Sequence, residues 1–283
     1  MKERYIRADL AEIWSEADLF RQIDHLGGTK YRELAGRRTS RVKLLGGVFF
    51  LKRHWGVGWG EILKSLASLR LPVLSARNEF EAARALAAVG VAVPEPVAYA
   101  VRGVNPARLD SFVLSESIEP SVSLEDLAQR WHSEPPTATR RRRLVIRVAK
   151  MVQRMHRAGV NHRDLYICHF LLREPEDQLT LIDLHRAQVR ASVPARWLVK
   201  DIGALLFSVM EAPIRDRDLL VFVKAYCSND ATIKGQAAQL RFELTDPQRQ
   251  AFWSQVRRRA LALYAEACRK QLVGGTPTVR VDA

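Results

Sequence analysis

Cysteine is nearly missing from this chain of 283 residues. Cys168, Cys227 and Cys268 form no close pair and leave an odd count, which speaks against a disulfide framework or a zinc site. Long apolar runs are missing too. Nothing approaches the roughly 20 residues that cross a bilayer, although 47% of the residues are hydrophobic. The N-terminus, Met1 to Arg7, carries basic residues with no apolar stretch behind them, so it is not a secretory signal and the expected location is the cytoplasm. Lysine is scarce as well. It supplies 10 of the 45 basic residues, so the formal charge of +14 rests mainly on arginine. A field of that size favours anionic partners: nucleic acid, anionic lipid or a phosphorylated sugar. The aromatic-basic interleaving of a nucleic-acid module is absent, so no nucleic acid is expected. The runs Arg140–Arg143 and Arg257–Arg259 read as solvated helix faces.

What the chain does have is one segment rich in chemistry. His162-Arg163-Asp164 is followed by an apolar stretch, Phe170 to Leu172, a polar turn from Glu174 to Asp177, a second apolar stretch from Leu179 to Ile182, and then Asp183. Phosphoryl transfer needs one carboxylate beside the attacking hydroxyl and another on the magnesium that bridges the nucleotide phosphates. Asp164 fits the first role and Asp183 the second, each placed at the end of a short buried strand. His169 stands five residues after Asp164, where kinases carry asparagine. It is assigned to the metal shell or to a bond with Asp164. Cys168, inside the same loop, reads as a packing residue.

Upstream, Val42–Leu45 and Val48–Lys52 flank Gly46-Gly47 and predict a hairpin. Lys52 ends an apolar strand, from which an ammonium reaches phosphates when a carboxylate holds it. Glu79 is the candidate partner, on a helix that Ser75 begins and Gly90 stops, and Glu81 is the alternative. The segment Gly36-Arg37-Arg38-Thr39-Ser40-Arg41 occupies the place of a phosphate-binding loop with a single glycine. Arg37, Thr39 and Ser40 are its candidate ligands. Trp55 to Gly60 falls after Lys52 and reads as an insertion or lid, its tryptophans either packed in the core or touching lipid or sugar. Strands are predicted at Val97–Val101 and Ser111–Ser115, and helices at Ser123, Arg140–Arg157, Ala195–Met210, Asp216–Ala225 and Pro247–Lys270. Asp201 is expected to accept hydrogen bonds from the catalytic loop, with His162 supporting that loop.

A strand-rich part followed by a helix-rich part implies an α+β, bilobal, protein-kinase-like fold. Residues 1–116 form a small N-lobe and 117–283 a larger helical C-lobe. The His162-Arg163-Asp164-x-Tyr166-x-Cys168-His169-Phe170 run, the Gly36-Arg37-Arg38-Thr39 segment and the Ala76-Arg77-Asn78-Glu79 helix start resemble the lipopolysaccharide core heptose kinases of Gram-negative bacteria. The resemblance implies ATP and Mg2+ as cofactors and transfer of the γ-phosphate to the 4-hydroxyl of the first inner-core heptose. It also implies a lipid A-linked core oligosaccharide as acceptor, a peripheral position at the anionic inner face of the inner membrane, and acyl carrier protein and tyrosine phosphorylation as further possibilities. Two other readings compete: a phosphotransferase of the choline or aminoglycoside kinase type, and an inactive kinase-like scaffold that binds polyanions.

Overall fold

The computed structural model describes residues 3–14, 19–34, 36–67, 72–175, 177–228 and 246–274. The chain divides into two compact units. One comprises Met1–Arg84, Pro94–Glu119 and Leu184–Arg186; the other comprises Ala85–Val93, Pro120–Asp183 and Ala187–Ala283.

The first unit is built on a six-stranded antiparallel sheet with spatial order β1-β5-β6-β4-β3-β2. Its strands are β1 (Glu3–Ile6), β2 (Gly28–Leu34), β3 (Arg37–Leu44), β4 (Gly47–Trp55), β5 (Pro96–Arg102) and β6 (Asp110–Glu116). The predicted hairpin forms between β3 and β4, but its centre lies one residue earlier than the glycine pair suggests. Leu44 pairs with Gly47, and Leu45 and Gly46 both take left-handed φ angles, 51° and 76°. That conformation gives the turn the twist of the strands it joins, at some steric cost to Leu45.

Alternation along β4 sends successive side chains to opposite faces. Phe49 and Leu51 join Val42, Phe112 and Leu114 in a core closed by the short helices α1 (Ala8–Ala11) and α2 (Leu19–His25), through Leu10, Leu19 and Ile23. Burying a side chain such as Phe112 completely stabilises the fold by roughly 1.5–3 kcal/mol. On the other face, α4 (Arg77–Ala87) lays Phe80 flat on Tyr99, ring centroids 4.2 Å apart, beside Val113. Ser75 accepts the Arg77 amide at 3.3 Å, near the start that its sequence position predicts. Lys52 pairs across the sheet with Val113, so it projects to this second face.

Trp55 and Trp59 are not core residues. Helix α3 (Gly58–Ala67) buries Ile62 and leaves Trp59 55%, Leu63 61% and Leu66 49% exposed. These three positions follow one another at i, i+4 and i+7, one stripe of the helix.

The second unit carries α5 (Leu124–Arg130), α6 (Ala138–Arg157), α7 (Ala195–Ser208), α8 (Asp216–Cys227) and α9 (Asp246–Gly274). Caps were readable in advance: Ser123 Oγ accepts the Asp126 amide at 3.0 Å and donates to its carboxylate at 2.7 Å. Five short strands cluster around the catalytic segment: β7 (Val122–Ser123), β8 (Val160–Asn161), β9 (Phe170–Arg173), β10 (Gln178–Leu181) and β11 (Gln188–Val189). The turn between β9 and β10 includes Glu176, which lies outside the described residues. Gly159 ends α6 at φ 77°, and any side chain there would collide with the Arg190 carbonyl. An apolar cavity of about 160 Å³ lies within the helical unit, lined by Leu144, Val148, Leu205, Phe222 and Trp253 among others.

Candidate active site

In the sheet unit, Lys52 Nζ stands 2.7 Å from Glu79 Oε1, with both side chains mostly buried. Glu79 Oε2 is buried with no hydrogen-bond partner. Of the two carboxylates considered, Glu79 therefore holds the lysine, and Glu81 instead pairs with Arg77 on the exposed side of α4 at 2.7 Å. Helical spacing explains the division: two residues apart on one helix is about 200°, nearly opposite faces.

The expected phosphate loop is corrected by the sheet. Arg37, Thr39 and Ser40 are residues of strand β3, not of a loop. Thr39 pairs directly with Lys52 and shares its face, as Arg37 does by alternation. Ser40 pairs with Leu51 and lies on the opposite face, beside the α2 core. The structure thus removes Ser40 from the company of Lys52. A period of two along Arg37–Arg41 carried that information, once the segment is recognised as a strand.

In the helical unit, strand register sets the geometry. Phe170 pairs with Leu181, and the Ile182 amide donates to the His169 carbonyl at 2.9 Å, which leaves Asp183 beside His169. The imidazole links the two acidic residues. His169 Nδ1–H donates to the Asp164 backbone carbonyl at 2.8 Å. That bond assigns a proton to Nδ1 and leaves Nε2 as the nitrogen turned toward Asp183. Nε2 is buried without a hydrogen bond and lies 3.7 Å from Asp183 Oδ2. The imidazole nitrogen and the carboxylate are two groups that could hold a cation. No larger group of metal-ligating side chains occurs among the described residues. Asp164 and Asp183 are both half-buried.

Asp201 anchors this loop. It is fully buried and accepts the His162 amide at 2.7 Å, the Arg163 amide at 2.8 Å and His156 Nε2–H at 3.3 Å. His162 Nε2–H in turn donates to the Ile182 carbonyl at 3.0 Å, tying the loop to the residue before Asp183. Burial, reinforced by His169, pushes the His162 pKa below its ordinary 6.5, so this ring is a neutral strut. Arg163 and Asp183 hold left-handed φ angles of 74° and 60°, strained backbone that these bonds maintain. Burial raises the Cys168 thiol to about 12, which leaves it a packing group.

A model of the lipopolysaccharide kinase (Kdo/WaaP) family matches residues 21–226. The chain belongs to the lipopolysaccharide kinase (Kdo/WaaP) family. Among its relatives, the lipopolysaccharide core heptose(I) kinase WaaP of Pseudomonas aeruginosa PAO1 is 48% identical over 220 residues, 76% of this chain and 82% of that protein. The enzyme of the same name from Escherichia coli K12 is 44% identical over 227 residues, 78% and 86% of the two chains. A solved structure described as WaaP in complex with acyl carrier protein superposes with a TM-score of 0.74 at 37% identity, covering 93% of this chain and 99% of that one. The fold of this family member is therefore α+β and protein-kinase-like, and its activity is that of a kinase.

One set of residues near this loop escaped the sequence. Arg163, Arg190, Arg196 and Lys200 gather around the ring of Trp197, with centroid distances of 5.7, 5.8, 5.8 and 4.3 Å. They are spread over 38 positions, and only the adjacent Arg196-Trp197 with Lys200 one helical turn on gave any local signal.

Proposed function

We propose that this family member transfers the γ-phosphate of ATP to the 4-hydroxyl of the first heptose of the lipopolysaccharide inner core. The observation that carries the chemistry is the His169 ring, bonded to the Asp164 backbone at one nitrogen and facing the Asp183 carboxylate with the other. The acceptor follows from the names of the relatives that are 44–48% identical over most of the chain.

In this reading Asp164 orients the sugar hydroxyl and accepts its proton. Lys52, held by Glu79, and the β3 residues Thr39 and Arg37 position the nucleotide phosphates. Asp183 and His169 hold magnesium, which when bound neutralises charge on the phosphate oxygens. Asp201 and His162 act by fixing the loop that carries Asp164. Most of the rate then comes from positioning and charge neutralisation. Asp164→Ala should lower turnover by about 10²- to 10⁴-fold with nucleotide binding retained. Mass spectrometry of core oligosaccharide incubated with ATP and magnesium reads the product, and wild-type turnover in the variant would refute the assignment. Choline or aminoglycoside phosphorylation in preference to heptose would favour the small-molecule reading. The scaffold reading predicts salt-dependent polyanion binding without turnover.

The lipid-linked acceptor places the enzyme at the anionic inner face of the inner membrane. No described helix is long and apolar enough to cross a membrane. The exposed stripe of Trp59, Leu63 and Leu66 on α3, on a chain with a formal charge of +14, suits contact with such a surface. Leu63→Asp should release the protein from anionic vesicles in co-sedimentation, and unchanged binding would remove α3 from that role. Acyl carrier protein is the further partner proposed, from the complex in which the related WaaP was solved. The apolar cavity of the helical unit has the chemistry of an acyl chain. Co-elution of the two purified proteins on size exclusion tests the association, and separate elution would end it.

A further inference from the structure

A second cavity of the helical unit has no part in the transfer chemistry as derived so far. It measures about 340 Å³, inside the range of roughly 300–1,000 Å³ that ligand sites occupy. Its walls come from α5 and α7, each with the turn that follows it, and from α9, through Glu125, Gln129, His132, Phe207, Glu211 and Tyr264. The catalytic loop reaches it too, because Ile167 lines it three residues after Asp164. Three residues of chain span at most about 11 Å. Ser208 Oγ accepts the Ile167 amide at 2.9 Å and donates to the Leu205 carbonyl at 2.8 Å. The cavity wall and the loop that carries Asp164 are therefore fastened to each other.

The chemistry of the walls narrows the occupant. Neither lysine nor arginine lines the cavity, in a chain whose formal charge is +14. A phosphate or an acidic sugar would meet two carboxylates there and no guanidinium or ammonium, which disfavours both. Glu125 is half-buried, and burial followed by the like charge of Asp126 raises its pKa, with no cation opposing them. Glu211 is exposed at the rim, near enough to Tyr264 that Cys268 and Glu211 push its phenol above the ordinary 10. An amine only donates, so it would use the carboxylates and leave the donors of Gln129 and Tyr264 idle. A sugar hydroxyl both donates and accepts, which matches carboxylate, amide, phenol and imidazole together. Phe207 and Ile167 supply the apolar wall on which the C–H face of a sugar ring packs.

We propose that Glu125, Gln129, His132, Phe207, Glu211 and Tyr264 form the subsite for an uncharged sugar of the acceptor, the ring that adjoins the one phosphorylated. The proposal rests on the acceptor being an oligosaccharide, as proposed above. A ring held here fixes its neighbour relative to Asp164, because Ile167 belongs to both the cavity and the loop. Asp164 then selects the hydroxyl, and the cavity selects the oligosaccharide that brings it.

The test combines kinetics with a binding measurement that needs no turnover. Glu211→Gln and Gln129→Ala alter exposed side chains, and thermal unfolding checks that each variant is folded. Each should raise KM for the core acceptor roughly five- to tenfold while KM for ATP stays within about twofold. Glu266→Gln is the control: Glu266 lies on α9 with Tyr264, pairs with Lys270 at 2.8 Å and does not line the cavity, so neither constant should move. In calorimetry without ATP, core oligosaccharide freed of lipid A by mild acid should bind wild type and lose the same factor in the two variants. An acceptor KM within about twofold of wild type in both variants, or a KM for ATP that rises as much, would overturn the proposal. Wild type that binds no oligosaccharide, or binds spermidine in its place, would do the same, the second being the result expected of an amine site. Oligosaccharide binding that weakens in the variants, while wild type fails to phosphorylate heptose, would instead count against the heptose reading alone.

Discussion

The two units hold their functional side chains by different means. In the sheet unit the ion pair of Lys52 with Glu79 stands on a face set by strand alternation, and one oxygen of its carboxylate goes unused. In the helical unit Asp201 collects three donors, and His162 and His169 each brace the loop through one ring nitrogen. The first arrangement rests on a regular element that would exist without it. The second rests on two strained backbone positions that require it. A side chain on a strand is aimed by the ladder it stands on; a loop in left-handed conformations needs a network.

The largest effect should come from breaking that network. Asp201→Ala leaves the His162 and Arg163 amides and His156 without their shared acceptor, a cost of about 3 kcal/mol or more. Urea unfolding should show the loss together with collapse of turnover, and a variant within about 1 kcal/mol of wild type would mean that the loop stands on its own. Removing the other unit's contact should do something different. Glu79→Ala should cut kcat/KM for ATP by roughly ten- to a hundredfold through a misplaced Lys52, with a smaller loss of stability than Asp201→Ala. Glu81→Ala is the matched control and should leave kcat/KM nearly intact, since its partner is Arg77 on the exposed side. Equal effects of the two substitutions would erase the distinction between the carboxylates.

The smallest effect concerns pH. His162 is neutral when folded because burial depresses its pKa below 6.5. The unfolded chain binds a proton there that the folded chain refuses. Its contribution to stability is thus complete above about 6.5 and is lost as pH falls from there toward the folded-state value. The slope is at most about 1.4 kcal/mol per pH unit, one proton's worth. Urea midpoints between pH 8 and 5 should show this component in wild type and lack it in His162→Gln.

Much of the architecture was legible. The β3–β4 hairpin, the α4 start at Ser75, the Ser123 cap and the β9–β10 pair each follow from turn residues or alternation within a short window. The N-terminal elements were not. Glu3–Ile6 is charged and short, and it is a strand because β5 offers it a ladder. Helix α1 has four residues, less than the pattern that would announce it. Tertiary pairing decided both. At the site, His169 lies between the Asp164 backbone and the Asp183 carboxylate because β9 and β10 are adjacent and antiparallel, and Asp201 holds the His162 and Arg163 amides. The β3 segment reads as a loop by its place in the chain, although its single glycine argues against one, and it is a strand. Placing Ser40 required knowing which residue of β4 faced it.

Between Asp183 and the first residue of α7 lie eleven positions, 184–194, and Ser192 is the only hydroxyl among them. Kinases that are switched by modification use this stretch as a long segment that orders when phosphorylated. Here there is too little chain to swing and almost nothing to modify. A switch of that kind would have a single hydroxyl in this segment on which to act.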